Sequence, residues 1–170
     1  IITVFATIGT VISSVVAGYA FARLRFKGRD TIFSVLLATL MLPYVVIMIP
    51  VYVMFSKLGW INTLLPLIVP NYFGDPFFIF LLRQFMVTIP DEYLDAARVD
   101  DCGEWRTLLK VVLPMARPGI AAAGMFHFFY AWNDYYGPLL YTSENEDAWT
   151  LSLGLASFKS LHHVEWHLIS

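Results

Sequence analysis

The chain has 170 residues, 58% of them apolar or aromatic and 14% charged, with a mean hydropathy of +0.66. Soluble domains carry about 25% charged residues, so the composition argues against water as the main solvent, and a formal net charge of −2 gives no reason to expect nucleic acid as a partner. The single cysteine, Cys102, excludes an internal disulfide.

Residues 1–20 lack both a basic leader region and a small-residue cleavage site, so no signal peptide is expected. Both ends look cut, and the natural protein is expected to be longer. Spanning the hydrocarbon as a helix takes about 20 mostly apolar residues, because backbone groups cannot go unpaired in lipid. Four stretches meet that requirement. The first, 1–22, is uncharged and ends at Arg23, Arg25, Lys27 and Arg29. The second, 31–55, contains Pro43 and Pro50, which are expected to kink it. The third, 64–82, is interrupted by Pro66, Pro70 and the Gly74-Asp75-Pro76 triplet, and the fourth, 118–141, has Asp134 as its only charge.

Lysines and arginines set the orientation, because short basic loops stay in the cytoplasm. The basic loop at 23–30 lies inside, the segment after Phe55 outside, and 83–117, with Arg83, Arg98, Arg106, Lys110 and Arg117, inside again. The loop after Tyr141, with Glu144, Glu146 and Asp147, is outside. Gly9, Ser13, Ser14, Ala17 and Gly18 in the first span, and Gly119, Ala122, Ala123 and Gly124 in the fourth, permit close helix contacts within one subunit.

The inside segment 83–117 is long for a connector and is patterned. Pro90 suits a first helical turn, and Asp91 and Glu92 sit where the helix dipole favours acids. Tyr93, Ala96, Ala97 and Asp100 follow at helical spacing and present a narrow face of small side chains. After Gly103 the phase restarts with Trp105, Leu108, Leu109 and Val112, and Leu113-Pro114 is expected to break this second helix. A helix–break–helix device of this kind suits docking into a groove of another protein. A helix lying on lipid headgroups would have a basic polar face, whereas here the acids Asp91, Glu92, Asp95, Asp100, Asp101 and Glu104 dominate.

The segment DAARVDDCGEWRTLLKVVLPMARP resembles the EAA loop of binding-protein-dependent importers of the ATP-binding cassette (ABC) class, with Ala96, Ala97, Asp100, Leu113, Pro114 and Pro118 matching. YAFARLRFKGRD, SKLGWINTLLPLIVP, FFIFLLRQFMVTIP, AWNDYYGPLLY and TLSLGLASF are similar to the carbohydrate branch, of the maltose-permease type. The resemblance implies an all-α polytopic transmembrane helical bundle of the type I importer permease fold, a single domain over 1–170, with one span before Ile1 and another starting near Val164. It implies an inner or plasma membrane location and a second permease subunit as partner, with a heterodimer expected. Two ATP-binding subunits and an extracytoplasmic solute-binding protein facing 142–158 complete the expected assembly, and a sugar is the implied cargo. The loop would couple to the ATPase through Glu92, Asp95, Ala96, Ala97, Asp100, Asp101, Gly103, Leu113 and Pro114. Asp95 stands where that family has glutamate, and Asp101 replaces its glycine. Either Asp101 adopts a left-handed turn, at about 1 kcal/mol, or Gly103 takes over.

Asp75, between Gly74 and Pro76, is either a helix cap or a pathway residue. Trp132, Asn133 and Asp134 combine an aromatic ring, an amide and a carboxylate, which suits sugar recognition, although tryptophan also collects at membrane interfaces. His162, His163 and His167 read as surface residues, and neither a metal nor a cofactor is expected. No phosphate loop, Ser/His/Asp set or Cys-x-x-Cys pair occurs, so ATP hydrolysis is expected in a partner. Two rivals remain: an ion-coupled secondary transporter, with only Asp75 and Asp134 as intramembrane acids, and a membrane-embedded enzyme, without a catalytic constellation.

Overall fold

The structure, a computed structural model, describes residues 1–99, 101–145 and 148–161, and they are helical with no strand among them. Asp100, Glu146, Asp147, Val164 and the three histidines His162, His163 and His167 lie outside the described residues. Helix α1 (Ile2–Arg23) is long and apolar enough to cross a membrane. Its two faces are chemically inverted relative to a helix in water. Ala6, Thr10, Ser14 and Gly18 stack at every fourth position on the buried face, while Val4, Ile8, Ile12 and Val16 do so on the exposed face. Lipid tails are as apolar as those outward side chains, so the small inward face is what holds α1 in the bundle.

The second apolar stretch forms two helices, α2 (Arg29–Thr39) and α3 (Tyr44–Lys57), bent by 97°. Pro43 accounts for the bend: it lacks an N–H, disfavours helical backbone at Leu42, and stands as the extended N-cap of α3. Pro50 is carried inside α3 without ending it. Next come α4 (Leu65–Ile68), a 3-10 segment (Val69–Phe73) and α5 (Pro76–Val87), and the run Leu65–Val87 is a second stretch able to cross. Gly74 separates the 3-10 segment from α5 at φ 96°, ψ 139°, a conformation open essentially to glycine alone.

The loop end of the molecule is built by α6 (Asp91–Val99), α7 (Glu104–Thr107), a π turn (Leu108–Val112) and α8 (Leu113–Met115). The expected break at Leu113-Pro114 is corrected: the helix runs from Glu104 to Met115 and turns by 78° at Ala116 into α9 (Arg117–Asn133). In the π turn the Leu113 N–H reaches back five residues to the Leu108 carbonyl, and this wider turn makes room for the Pro114 ring. Helices α10 (Tyr136–Thr142) and α11 (Leu151–Leu161) complete the described chain. By length and composition two helices can cross a membrane, or up to four if each bent pair is one span.

One apolar core joins α1, α5, the loop and α9 through Val15, Leu82, Met86, Leu94, Val112 and Ala123. Close approach at its edges depends on missing side chains. A Cβ at Gly18 would lie 3.2 Å from the Arg83 backbone nitrogen, and one at Gly119 only 2.5 Å from the Phe85 ring. At the opposite end, Asn62 clasps two loops together. Its N–H donates to the Tyr141 carbonyl at 2.7 Å, its Nδ2 donates to Glu144 Oε2 at 2.9 Å, and its carbonyl accepts from Asn145 Nδ2 at 3.0 Å.

Candidate functional site

The loop segment is two-faced, and the bundle fixes which face is which. Leu94 and Ala97 of α6 turn inward, while Tyr93 and Ala96 turn outward. The pattern repeats in the second arm: Leu108 and Val112 are buried, at 2% and 0% exposure, whereas Trp105 and Leu109 are exposed at 66% and 59%. The two alanines therefore do different work. Ala97 lets α6 lie close against its own bundle, and Ala96 stays open on the outer surface beside Glu92 and Asp95. Leu113 packs against the core and Pro114 is exposed.

Asp101 resolves the turn between the arms. It takes φ 55°, the left-handed conformation, while Gly103 stays at φ −63°, ψ 162° as the N-cap of α7. The Cys102 N–H then reaches the Ala97 carbonyl at 3.0 Å, closing the end of α6 in the manner of a Schellman turn. Aspartate tolerates this region better than most residues, which is why glycine is dispensable here.

Within the bundle, Asp75 is a helix cap: its Oδ1 accepts from the Phe77 and Phe78 N–H groups at 2.8 and 3.3 Å. It also borders a groove of about 410 Å³ lined by Phe77, Phe78, Phe126 and Tyr130. Asp134 accepts from the Gly137 N–H at 3.2 Å across the gap between α9 and α10. It lines a cavity of about 60 Å³ with Asn71, His127 and Tyr130. Tyr130 borders both spaces, one shared with Asp75 and the other with Asp134. Trp132 points elsewhere, stacked on Phe128 with centroids 5.7 Å apart, and Asn133 Nδ2 is bonded to the Phe129 carbonyl at 2.8 Å.

A buried polar layer crosses the core next to that cavity. His127 Nε2 lies 2.9 Å from Thr10 Oγ1 and 3.2 Å from Asn71 Oδ1, and its Nδ1 lies 3.2 Å from Thr7 Oγ1. It joins α1, the 3-10 segment and α9, and Ser13 Oγ adds a bond from α1 to the Asn71 carbonyl at 3.2 Å.

Residues 9–159 match the family described as binding-protein-dependent transport system inner membrane component. The chain belongs to this family. It is an integral inner-membrane transport component. Among its relatives are the diacetylchitobiose uptake system permease protein NgcG of Streptomyces coelicolor, 35% identical over 94% of this chain and 53% of the relative, and the arabinooligosaccharides transport system permease protein AraQ of Halalkalibacterium halodurans, 34% identical over 92% and 55%. The sn-glycerol-3-phosphate transport system permease protein UgpE of Yersinia pestis is 36% identical over 81% of this chain and 49% of its own length. The chain thus spans about half the length of these curated relatives. Its fold matches a solved bacterial ABC transporter involved in alginate import, with a TM-score of 0.77 at 23% identity, covering 96% of this chain and 57% of that one.

The loop, Asp75 and Asp134 stand out in the sequence, whereas the polar layer does not, nor does Arg23, whose guanidinium donates to Asp91 Oδ1 and to the Met86 carbonyl. Thr7 and Thr10 are one turn apart on an otherwise apolar span, and His127 is an isolated titratable residue in α9. Those were the available signals. Nothing in the chain order shows that they meet.

Proposed function

We propose that the chain forms part of the translocation pathway of an ATP-driven importer for a sugar or sugar-like solute. The loop Pro90–Pro114 docks an ATPase subunit on the cytosolic side. The reading is carried by one observation: the loop places Tyr93, Val99, Trp105 and Leu109 on an outward face, each at least half exposed, among acidic side chains. Large apolar side chains next to carboxylates are costly in water and unsuited to anionic headgroups, whereas a groove in a partner protein satisfies both. Nucleotide-driven movement of the docked loop then biases the bundle between inward and outward access.

The relatives named for oligosaccharide and polyol phosphate transport support this cargo class. A second permease subunit, two ATPase subunits and an extracytoplasmic binding protein complete the proposed assembly. Tyr130, which lines one space with Asp75 and another with Asp134, is the proposed pathway lining. The ion-coupled alternative is disfavoured because each carboxylate already accepts from backbone N–H groups. Ala96→Arg tests docking. A cation on the open face of α6 should leave membrane insertion intact and abolish co-purification of the ATPase. Recovery of the ATPase at wild-type yield would contradict the docking surface.

A further inference from the structure

Beyond the apolar core that α1 shares with the loop, two polar contacts tie them, one at the start of each arm. Tyr19, buried in α1, donates its hydroxyl to Glu104 Oε2 at 2.5 Å, and Glu104 is the first residue of α7. One turn further along, Arg23 Nη1 donates to Asp91 Oδ1 at 2.5 Å, and Asp91 is the first residue of α6. The remaining donors of Arg23 grip the end of α5: Nη2 and Nε reach the Met86 carbonyl at 2.6 and 3.1 Å, and Nη2 also bonds the Ile89 carbonyl. A guanidinium is suited to this because its donors lie in a fixed planar fork. The same helix carries Thr7 and Thr10 into the polar layer around His127.

From this geometry we infer that Tyr19 and Arg23 are positioning residues of the transport cycle, a two-point strap by which movement of the loop is delivered directly to α1 and along it to the polar layer. The inference rests on the docking reading above. A merely structural part for Arg23 is capping the last carbonyls of α5, but that does not require Asp91, nor does it account for Tyr19 and Glu104. The strap joins both arms to one helix, so a rotation of the loop cannot leave α1 behind.

The test uses the full-length permease, with Cys102→Ser, co-expressed with its ATPase and partner permease and placed in nanodiscs. Spin labels at Thr3 and Ser143, on elements at the end away from the loop, report their separation with and without ATP and vanadate. Tyr19→Phe with Asp91→Ala removes the hydroxyl donor of one strap and the carboxylate acceptor of the other, and leaves the carbonyl contacts of Arg23 in place. The expected result is wild-type retention of the ATPase with a nucleotide-driven distance change reduced about 3-fold or more. Glu104→Ala, made on the exposed side of the loop, removes the acceptor of the Tyr19 hydroxyl and should reproduce Tyr19→Phe without altering the core, whereas Asp91→Glu, which keeps a carboxylate for Arg23, should retain the wild-type change. A wild-type-sized change in the double variant would overturn the strap, as would a wild-type complex that shows no change. Loss of the ATPase from the double variant alone would make these residues docking contacts and also overturn it. Failure of the wild type to retain the ATPase would instead defeat the docking reading, and the strap with it.

Discussion

Asp101 shows how a single residue can depart from a family pattern without changing the fold. At φ 55° its Cβ is crowded, yet the conformation is what brings the Cys102 N–H to the Ala97 carbonyl. Asp101→Val, β-branched and unable to take that conformation cheaply, should cost about 1–2 kcal/mol and expose the Cys102 amide to hydrogen exchange. Unchanged protection would mean the turn does not depend on it. Thr10 and Ser14, one turn apart and fully buried, offer a second contrast. Thr10 Oγ1 lies 2.9 Å from His127 Nε2 and donates to Asn71 Oδ1 at 3.3 Å, whereas Ser14 Oγ has no hydrogen-bond partner among the described residues. Thr10→Val should therefore cost about 1–3 kcal/mol by leaving buried partners unsatisfied, while Ser14→Ala should be neutral or stabilising. Thermal unfolding in nanodiscs separates the two, and equal losses would contradict the assignment of the polar layer. The cap at Asp75 was readable from its triplet, since a proline at the first helical position follows a side chain able to accept from the freed N–H groups. The His127 layer was not, because its four members are scattered over 120 positions and meet only after three helices pack.

At the scale of elements, apolar length foretold helices along all four stretches, of which α1 and the run Leu65–Val87 are by themselves long and apolar enough to cross a membrane. Interruptions were harder, since the effect of a proline depends on the turn before it. Pro43 ends a helix, Pro50 is carried within one, and Pro114 follows a π turn that absorbs it. Periodicity grouped Trp105, Leu108, Leu109 and Val112 on one stripe, but the π turn and the bundle divide them between an inner and an outer face. Small residues in α1 and α9 were expected to mark contacts within the subunit, and Gly18 and Gly119 meet α5 in that way. Gly119→Ala should force the Phe85 ring aside and lower stability by about 1–3 kcal/mol, measured as a fall in the thermal midpoint. Adding Phe85→Leu should recover most of it. No loss in the single variant would show that the ring moves freely and that the helix contact is slack.

For the whole molecule, α1 joins the proposed docking face at one end to the polar layer within the bundle. The outward loop residues have the composition of an interface core, apolar and aromatic at the centre with charges around them. Helix α1, by contrast, buries a stripe of Ala6, Thr10, Ser14 and Gly18 and turns Val4, Ile8, Ile12 and Val16 outward. That division was only half visible in chain order. The loop's acidity and restarted phase set it apart from the spans, but which apolar residues it keeps for itself became clear only once α1, α5 and α9 formed its inner wall. Hydroxyl-radical footprinting of the full-length permease, alone and with its ATPase bound, tests the central claim most directly. Tyr93, Trp105 and Leu109 should react freely in the permease alone and become protected in the complex, while Leu94, Leu108 and Val112 stay unreactive in both. Equal labelling of Tyr93, Trp105 and Leu109 in the two states would contradict it.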